Sequence, residues 1–166
     1  MAPRHILFLC TYNAGRSIIA ESLVNTLNSP HYHAFSAGDA PVAHASSDAL
    51  SLLARKAQVI RGLYPKHWQI FSKPNAPHID VVITLCNNAK GEICANLPGY
   101  PLIAHWDTTD PSSYTTQSER AEAFSRLFQE LQSKISDLVK IPLSLQGAKL
   151  VQKINSIGWR NLEAQP

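Results

Sequence analysis

The stretch RHILFLCTYNAGRSIIAESLVNTL, residues 4–27, decides the fold class. Its opening, Arg4 to Cys10, is a continuous apolar run of the kind a strand shows when both of its faces are covered. After a tight loop, Ile18, Ile19, Leu23, Val24 and Leu27 recur at the spacing of one helix face, and Asn28-Ser29-Pro30 ends the element. Strand, loop and helix follow with no slack between them, which is the unit from which parallel sheets are assembled.

The pattern continues outward. HAFSAG (33–38) reads as a second strand and SSDALSLLARKAQVI (46–60) as a second helix with Ser or Asp at its N-cap. Gly62, Pro65, Pro74 and Pro77 make residues 62–79 a run of turns with at most a short helix around Lys66 to Phe71. DVVITLC (80–86) reads as an interior strand, PLIAHW (101–106) as a fourth, and residues 87–100 as the loop between them. In residues 119–139 Phe124, Leu127, Phe128, Leu131, Ile135 and Leu138 form one apolar stripe, Pro142 stops that helix, and a last helical pattern runs from Leu143 to Ile157. The expectation is an α/β, single-domain, three-layer fold: a four-stranded, mostly parallel sheet with helices on both faces. Residues 1–141 form the domain and residues 142–166 a C-terminal helical extension packed on it or trailing it.

Composition narrows the function classes. The 166 residues are 45% hydrophobic and 16% charged, and no apolar run reaches the roughly 18 residues of a membrane span, so a soluble, cytoplasmic protein without a membrane partner is expected. ILFLC is too short for a signal-peptide core. The net charge is +3, but Lys and Arg are scattered without a basic stripe, which argues against nucleic acid and only weakly for a small oxyanion. Cys10, Cys86 and Cys94 are an odd set without a secretory signal, so a disulfide framework is not expected; reactive, metal-bound and simply buried thiols stay open. The separation of Cys86 from Cys94 lacks the short ligand spacing of structural zinc sites.

Ligands of parallel sheets bind beyond the carboxyl ends of the strands, where Cys10 and Cys86 both sit. Between Cys10 and Arg16 lie Thr11, Tyr12, Asn13, Ala14 and Gly15, leading directly into a helix N-terminus. Such a turn aims successive backbone N–H groups at one point, and the helix dipole adds positive potential, so the loop is a cradle for a tetrahedral oxyanion. Gly15 allows close approach of backbone to the anion, Asn13 tolerates a left-handed conformation and ties the loop together, and Arg16 grips two oxygens at once. The same field favours the charged form of the Cys10 sulfur, with Ser17 placed to donate to it. The loop thus both binds an oxyanion and sets a nucleophile beneath its central atom.

CTYNAGRS resembles the catalytic loop of the low-molecular-weight tyrosine phosphatase fold. The wider pattern, ILFLCTYNAGRSIIAES, FSAG, VVITLCNNAKGEICANLPG and AHWDTTDP, is similar to arsenate reductases built on that fold, over about residues 5–140. The resemblance implies arsenate reduction by a cysteine relay: Cys10 attacks arsenate, Cys86 attacks the Cys10 sulfur and releases arsenite, and Cys94 takes over Cys86, leaving a Cys86–Cys94 disulfide. Asp110, followed by Pro111, matches the family's proton donor, while Asp107 reads as a loop or capping residue. No tightly bound cofactor is implied; the reductant is thioredoxin, glutaredoxin or a low-molecular-weight thiol, and a monomer is expected. Asn13, Glu21 and Ser36 match positions that hold potassium behind the loop in some related reductases, but no fourth ligand stands out near Pro65, which leaves the metal open.

Two rivals remain at this level. One is a tyrosine phosphatase in which Cys86 and Cys94 only protect Cys10; the serines after Asp110-Pro111, where such phosphatases carry aromatic residues, tilt the substrate toward a small inorganic anion. The other is an oxyanion or redox sensor that binds without turnover, for which a placed acid has no use. The seven histidines show no ligand spacing beyond His31 and His33 and read as surface or capping residues, with His105 placed to orient the acid loop; Trp68, Trp106 and Trp159 read as core or rim aromatics.

Overall fold

The first strand, β1 (Arg4–Cys10), lies inside the sheet because it has no polar face: Ile6, Leu7, Phe8 and Leu9 are all fully buried. In the computed structural model, which describes residues 1–86 and 96–159, it is flanked by β2 (Tyr32–Gly38) and β3 (Val81–Thr84), with β4 (Leu102–His105) outermost. The order is β2-β1-β3-β4 and every pairing is parallel. Between and after the strands come α1 (Arg16–Thr26), α2 (Ser47–Arg55), α3 (Gln117–Leu138) and α4 (Gly147–Gly158), with short 3-10 helices at Trp68–Ser72 and Pro111–Ser113. The α/β fold with a four-stranded parallel sheet is the one expected.

Alternation along the strands sorts the core into two faces. On one, Ser36 sits beside Phe8 in the register and bonds Glu21 of α1, and Phe8 meets the ring of Trp106. On the other, Leu7 and Phe35 are register partners, and Phe71 of the first 3-10 helix packs edge-on against Phe35. The stripe anticipated for α3 is buried as a unit, from Phe124 to Leu138.

Several boundaries differ from expectation for local reasons. The second helix stops at Arg55 rather than continuing to residue 60, because Ala57 takes a left-handed φ of 54° and the Gln58 N–H turns back to the Leu53 carbonyl. The last helix starts at Gly147 rather than at Leu143: the Arg4 guanidinium takes the carbonyls of Leu143 and Leu145 at 3.2 and 2.7 Å, pinning that segment to the start of β1 as a turn. The strand expected over residues 80–86 pairs only over Val81–Thr84, so Cys86 lies just beyond it, still buried. Helix α4 packs on β4, where the Trp106 indole donates to the Ile154 carbonyl at 2.9 Å and the His105 N–H to the Asn155 side chain at 2.9 Å. Gly158 allows this contact, since a Cβ there would come within 2.4 Å of the Trp106 ring.

Candidate active site

Parallel pairing brings the carboxyl ends of β1 and β3 side by side, so the two sulfurs at residues 10 and 86 share one end of the sheet. Between β1 and α1 the loop Thr11–Gly15 turns tightly, and Asn13 adopts a left-handed φ of 48° while fully buried. Its carbonyls are tied outward. Thr11, Tyr12 and Ala14 accept from the N–H groups of Ala40, Val42 and Ser46 at 2.9, 3.2 and 2.8 Å, so the segment after β2 forms a strap around the loop. The N–H groups of Tyr12 to Arg16 have no protein acceptor among the described residues, which leaves the inner side of the loop as a row of donors. Helix α1 adds to it: its N-cap is Gly15, with no side-chain cap and no acidic residue in the first turn, so its orphan donors and dipole face the same point.

Gly15 meets a further requirement besides the one expected. It has no positive φ, and a Cβ there would meet the Phe124 ring at 3.1 Å, so α3 packing against the loop also favours glycine. The close backbone approach occurs at Gly38, which sequence reasoning noted only as a strand end: a Cβ there would lie 2.6 Å from the Thr11 carbonyl and 3.0 Å from the Asn13 nitrogen.

Cys10 is 3% exposed, and its sulfur lies 2.9 Å from the Ser17 hydroxyl, which in turn accepts from the Asn13 amide at 2.8 Å. Arg16 reaches over the loop, donating to the Thr108 carbonyl at 3.3 Å and standing 3.6 Å from the Asp110 carboxylate. Thr108 is itself anchored through its hydroxyl to the Leu85 carbonyl. Asp110, expected as a proton donor, also caps the 3-10 helix Pro111–Ser113: its carboxylate accepts from the Ser112 N–H and hydroxyl at 3.0 and 2.7 Å. Asp107, expected as a loop or capping residue, lies exposed on the loop before it. His105 bonds Thr84 at 2.6 Å, at the end of the sheet, and His67 caps the first 3-10 helix. Cys10, Tyr12, Arg16, Ser46, Asp110 and Phe124 are among the residues lining a cleft of about 40 Å³, far below the roughly 300–1,000 Å³ of pockets for larger organic ligands.

Cys86 carries a free thiol, as does Cys10, and its sulfur sits 3.4 Å from the hydroxyl of Thr11 in the loop. Cys94 lies outside the described residues.

The potassium positions suggested by resemblance are occupied by other chemistry. The Asn13 carbonyl oxygen accepts the Lys66 N–H at 2.9 Å, Ser36 donates to Glu21, and the Lys66 ammonium stands 3.7 Å from the same Glu21 carboxylate oxygen. With the Lys66 ammonium already beside the one carboxylate of this group, these residues do not fit a potassium ion, and no group of three His, Cys, Asp or Glu residues able to hold a metal exists among the described residues. Nothing in the sequence pointed to Lys66, which sits in the turn-rich segment without periodicity.

Two bacterial proteins named arsenate reductase are similar over most of this chain. That of Oceanobacillus iheyensis is 28% identical over 85% of this chain and 96% of its own, and that of Bacillus licheniformis 29% identical over 84% and 95%. Among solved structures, a low-molecular-weight protein tyrosine phosphatase from T. tengcongensis superposes with a TM-score of 0.67 at 24% identity, covering 82% of this chain and 98% of that one. Residues 5–153 match the family described as low molecular weight phosphotyrosine protein phosphatase, a span that runs past residue 141 into α4. With that match over most of its length and a strand-end cysteine under a loop of free amides, the chain belongs to the low molecular weight phosphotyrosine protein phosphatase family.

Proposed function

We propose that this protein reduces arsenate to arsenite through a three-cysteine relay. The observation that carries the reading is the second free thiol, Cys86, buried at the same end of the sheet and 3.4 Å from the Thr11 hydroxyl of the nucleophile's own loop. Ester hydrolysis needs one cysteine; transfer of an electron pair needs another sulfur beside it. The similarity to two arsenate reductases along nearly their whole length supports the same reading.

In this mechanism the amides of residues 11–16 and the Arg16 guanidinium hold the oxygens of arsenate, and the Cys10 thiolate attacks arsenic. Asp110 donates a proton to the departing hydroxyl of arsenate, which leaves as water. Ser17 donates to the Cys10 sulfur and steadies its charge. The Cys86 thiolate then attacks Cys10, forming a sulfur–sulfur bond while the sulfur–arsenic pair goes to arsenic, which departs as arsenite. Cys94 attacks Cys86 and expels the Cys10 thiolate, so the oxidised product is a Cys86–Cys94 disulfide and Cys10 is ready again. An external dithiol of the thioredoxin type suits an intramolecular disulfide; glutaredoxin and a small thiol are the alternatives. No bound cofactor enters any step.

A second reading has one observation in its favour. Tyr12, half exposed, lines the cleft beside Cys10 and Asp110, where its ring can stack on a phenyl phosphate, and hydrolysis of such an ester needs neither Cys86 nor Cys94. The two readings separate in the Cys86→Ser variant. With arsenate and a thioredoxin system, wild type is expected to turn over repeatedly and Cys86→Ser to release no more than one arsenite per chain, with p-nitrophenyl phosphate hydrolysis retained. Sustained arsenate reduction by Cys86→Ser would rule out the relay.

A further inference from the structure

Behind the loop, away from the cleft, lies a buried ion pair that the reaction above does not use. Lys66 and Glu21 are 3.7 Å apart with their side chains only 8% and 11% exposed. Glu21 belongs to α1, the helix whose N-terminus forms the anion cradle, and Ser36 of β2 donates to its carboxylate. Burial drives the Glu21 carboxyl upward and the Lys66 ammonium downward from their ordinary values, and each partner partly offsets the shift of the other. The ammonium is further held by the Tyr64 carbonyl at 2.8 Å and lies 4.4 Å from the centre of the Tyr64 ring.

The backbone of the same residue runs through the machinery of the loop. Its carbonyl accepts from Gly38 at 2.9 Å, and its N–H donates to the Asn13 side-chain oxygen at 2.9 Å. That donor decides which way the Asn13 amide points: the oxygen must face Lys66, so the NH2 group faces Ser17. Because the Ser17 oxygen accepts from Asn13, its own hydrogen is left for the Cys10 sulfur, 2.9 Å away. The direction of three hydrogen bonds is therefore set at Lys66, and the side chain of Lys66 is what anchors that residue to α1.

We propose that Lys66 is a positioning residue and a built-in cation: its ammonium supplies against Glu21 the charge that some related reductases take from potassium, and its backbone N–H orients the Asn13–Ser17–Cys10 chain so that a proton faces the nucleophile. The inference rests on the reading of this loop as an anion cradle around a nucleophilic thiol. Its test uses inorganic phosphate and iodoacetamide, so it involves no step of the cysteine relay and fails separately from it.

Phosphate affinity is measured by calorimetry in potassium and in choline salts at equal ionic strength, and alkylation of Cys10 is followed against pH by peptide mass spectrometry. Wild type is expected to be indifferent to the cation; a severalfold gain in phosphate affinity with potassium alone would overturn the inference. Lys66→Met in choline is expected to bind phosphate about tenfold more weakly, with Cys10 alkylated severalfold more slowly than in wild type at neutral pH. Potassium should restore much of both, since it can then take the place of the ammonium beside the Glu21 carboxylate. Should that variant not fold, Glu21→Gln/Lys66→Met removes both charges and is expected to fold, bind phosphate weakly and ignore potassium. Either variant matching wild type in affinity and in the alkylation profile would show the pair to be merely structural and sink the proposal.

Discussion

The loop from Cys10 to Ser17 and the segment from Thr108 to Tyr114 face each other across one small cleft, yet they are held in opposite ways. In the first, three carbonyls are strapped from outside, Asn13 is bonded at both ends of its amide, and α3 packs beneath Gly15. In the second, Asp110 is 38% exposed on its side chain and is held by Ser112, its own near neighbour, and by a 3.6 Å approach of Arg16. The loop is thus preorganised by the whole fold, while the acid rests on a short local turn. Oxyanion grip needs fixed geometry before substrate arrives, because donors that must reorganise lose their advantage. Proton delivery needs only reach, and a side chain on an exposed turn retains access to solvent for its proton.

From that contrast, substitutions on the loop side are expected to damage the chemical step and binding together, and those on the acid side the chemical step alone. The largest effect is expected from Cys10→Ser, which should lower arsenate-dependent thiol oxidation on the order of 10⁴-fold or more while leaving the thermal midpoint near that of wild type. Arg16→Lys comes next: losing the planar fork should cost about 10²–10³-fold in kcat/KM, with weaker phosphate binding by calorimetry. Asp110→Asn should lower kcat about 10²-fold with phosphate affinity unchanged; a parallel loss of affinity would break the comparison. Gly38→Ala sharpens it from the structural side, since a methyl 2.6 Å from the Thr11 carbonyl must displace the loop. It should destabilise the protein by about 1–3 kcal/mol by thermal melting and raise KM as well.

The smallest effect lies far from the cleft. Partial desolvation against neighbouring rings, and then the nearby His5, hold the exposed His33 below its ordinary value of 6.5, so the unfolded chain takes up this proton before the folded one does. Stability is therefore present above that value and is lost as pH falls through the lower folded one. His33→Asn should flatten the acid limb of a plot of melting midpoint against pH; an unchanged limb would assign the acid sensitivity elsewhere.

Some of this was legible before any coordinates. Residues 4–10 and 80–86 announced interior strands because an unbroken apolar run can only be satisfied with both faces covered, and the α3 stripe named its own buried face. The geometry of CTYNAGRS was legible because it is local: a sulfur, a left-handed Asn13, an open helix start and a guanidinium all lie within a few residues. Helix ends were less readable, because Ala57 has no side-chain signature for the left-handed turn it makes and Arg4 captures two carbonyls from the far end of the chain.

What the amino-acid order by itself determined is the alternation of strands and helices and the compact Cys10–Ser17 turn between the first strand and helix, for both follow from periodicity and from neighbours in the chain. Tertiary structure alone decided that residues 40–46 strap the loop, that Phe124 and Gly38 shape it, that Thr11 meets Cys86, and that Lys66 stands against Glu21. Those contacts join positions remote in sequence, and a buried pair such as Lys66 and Glu21 leaves no periodic trace, because its partners are chosen by where the folded sheet and helix happen to bring them.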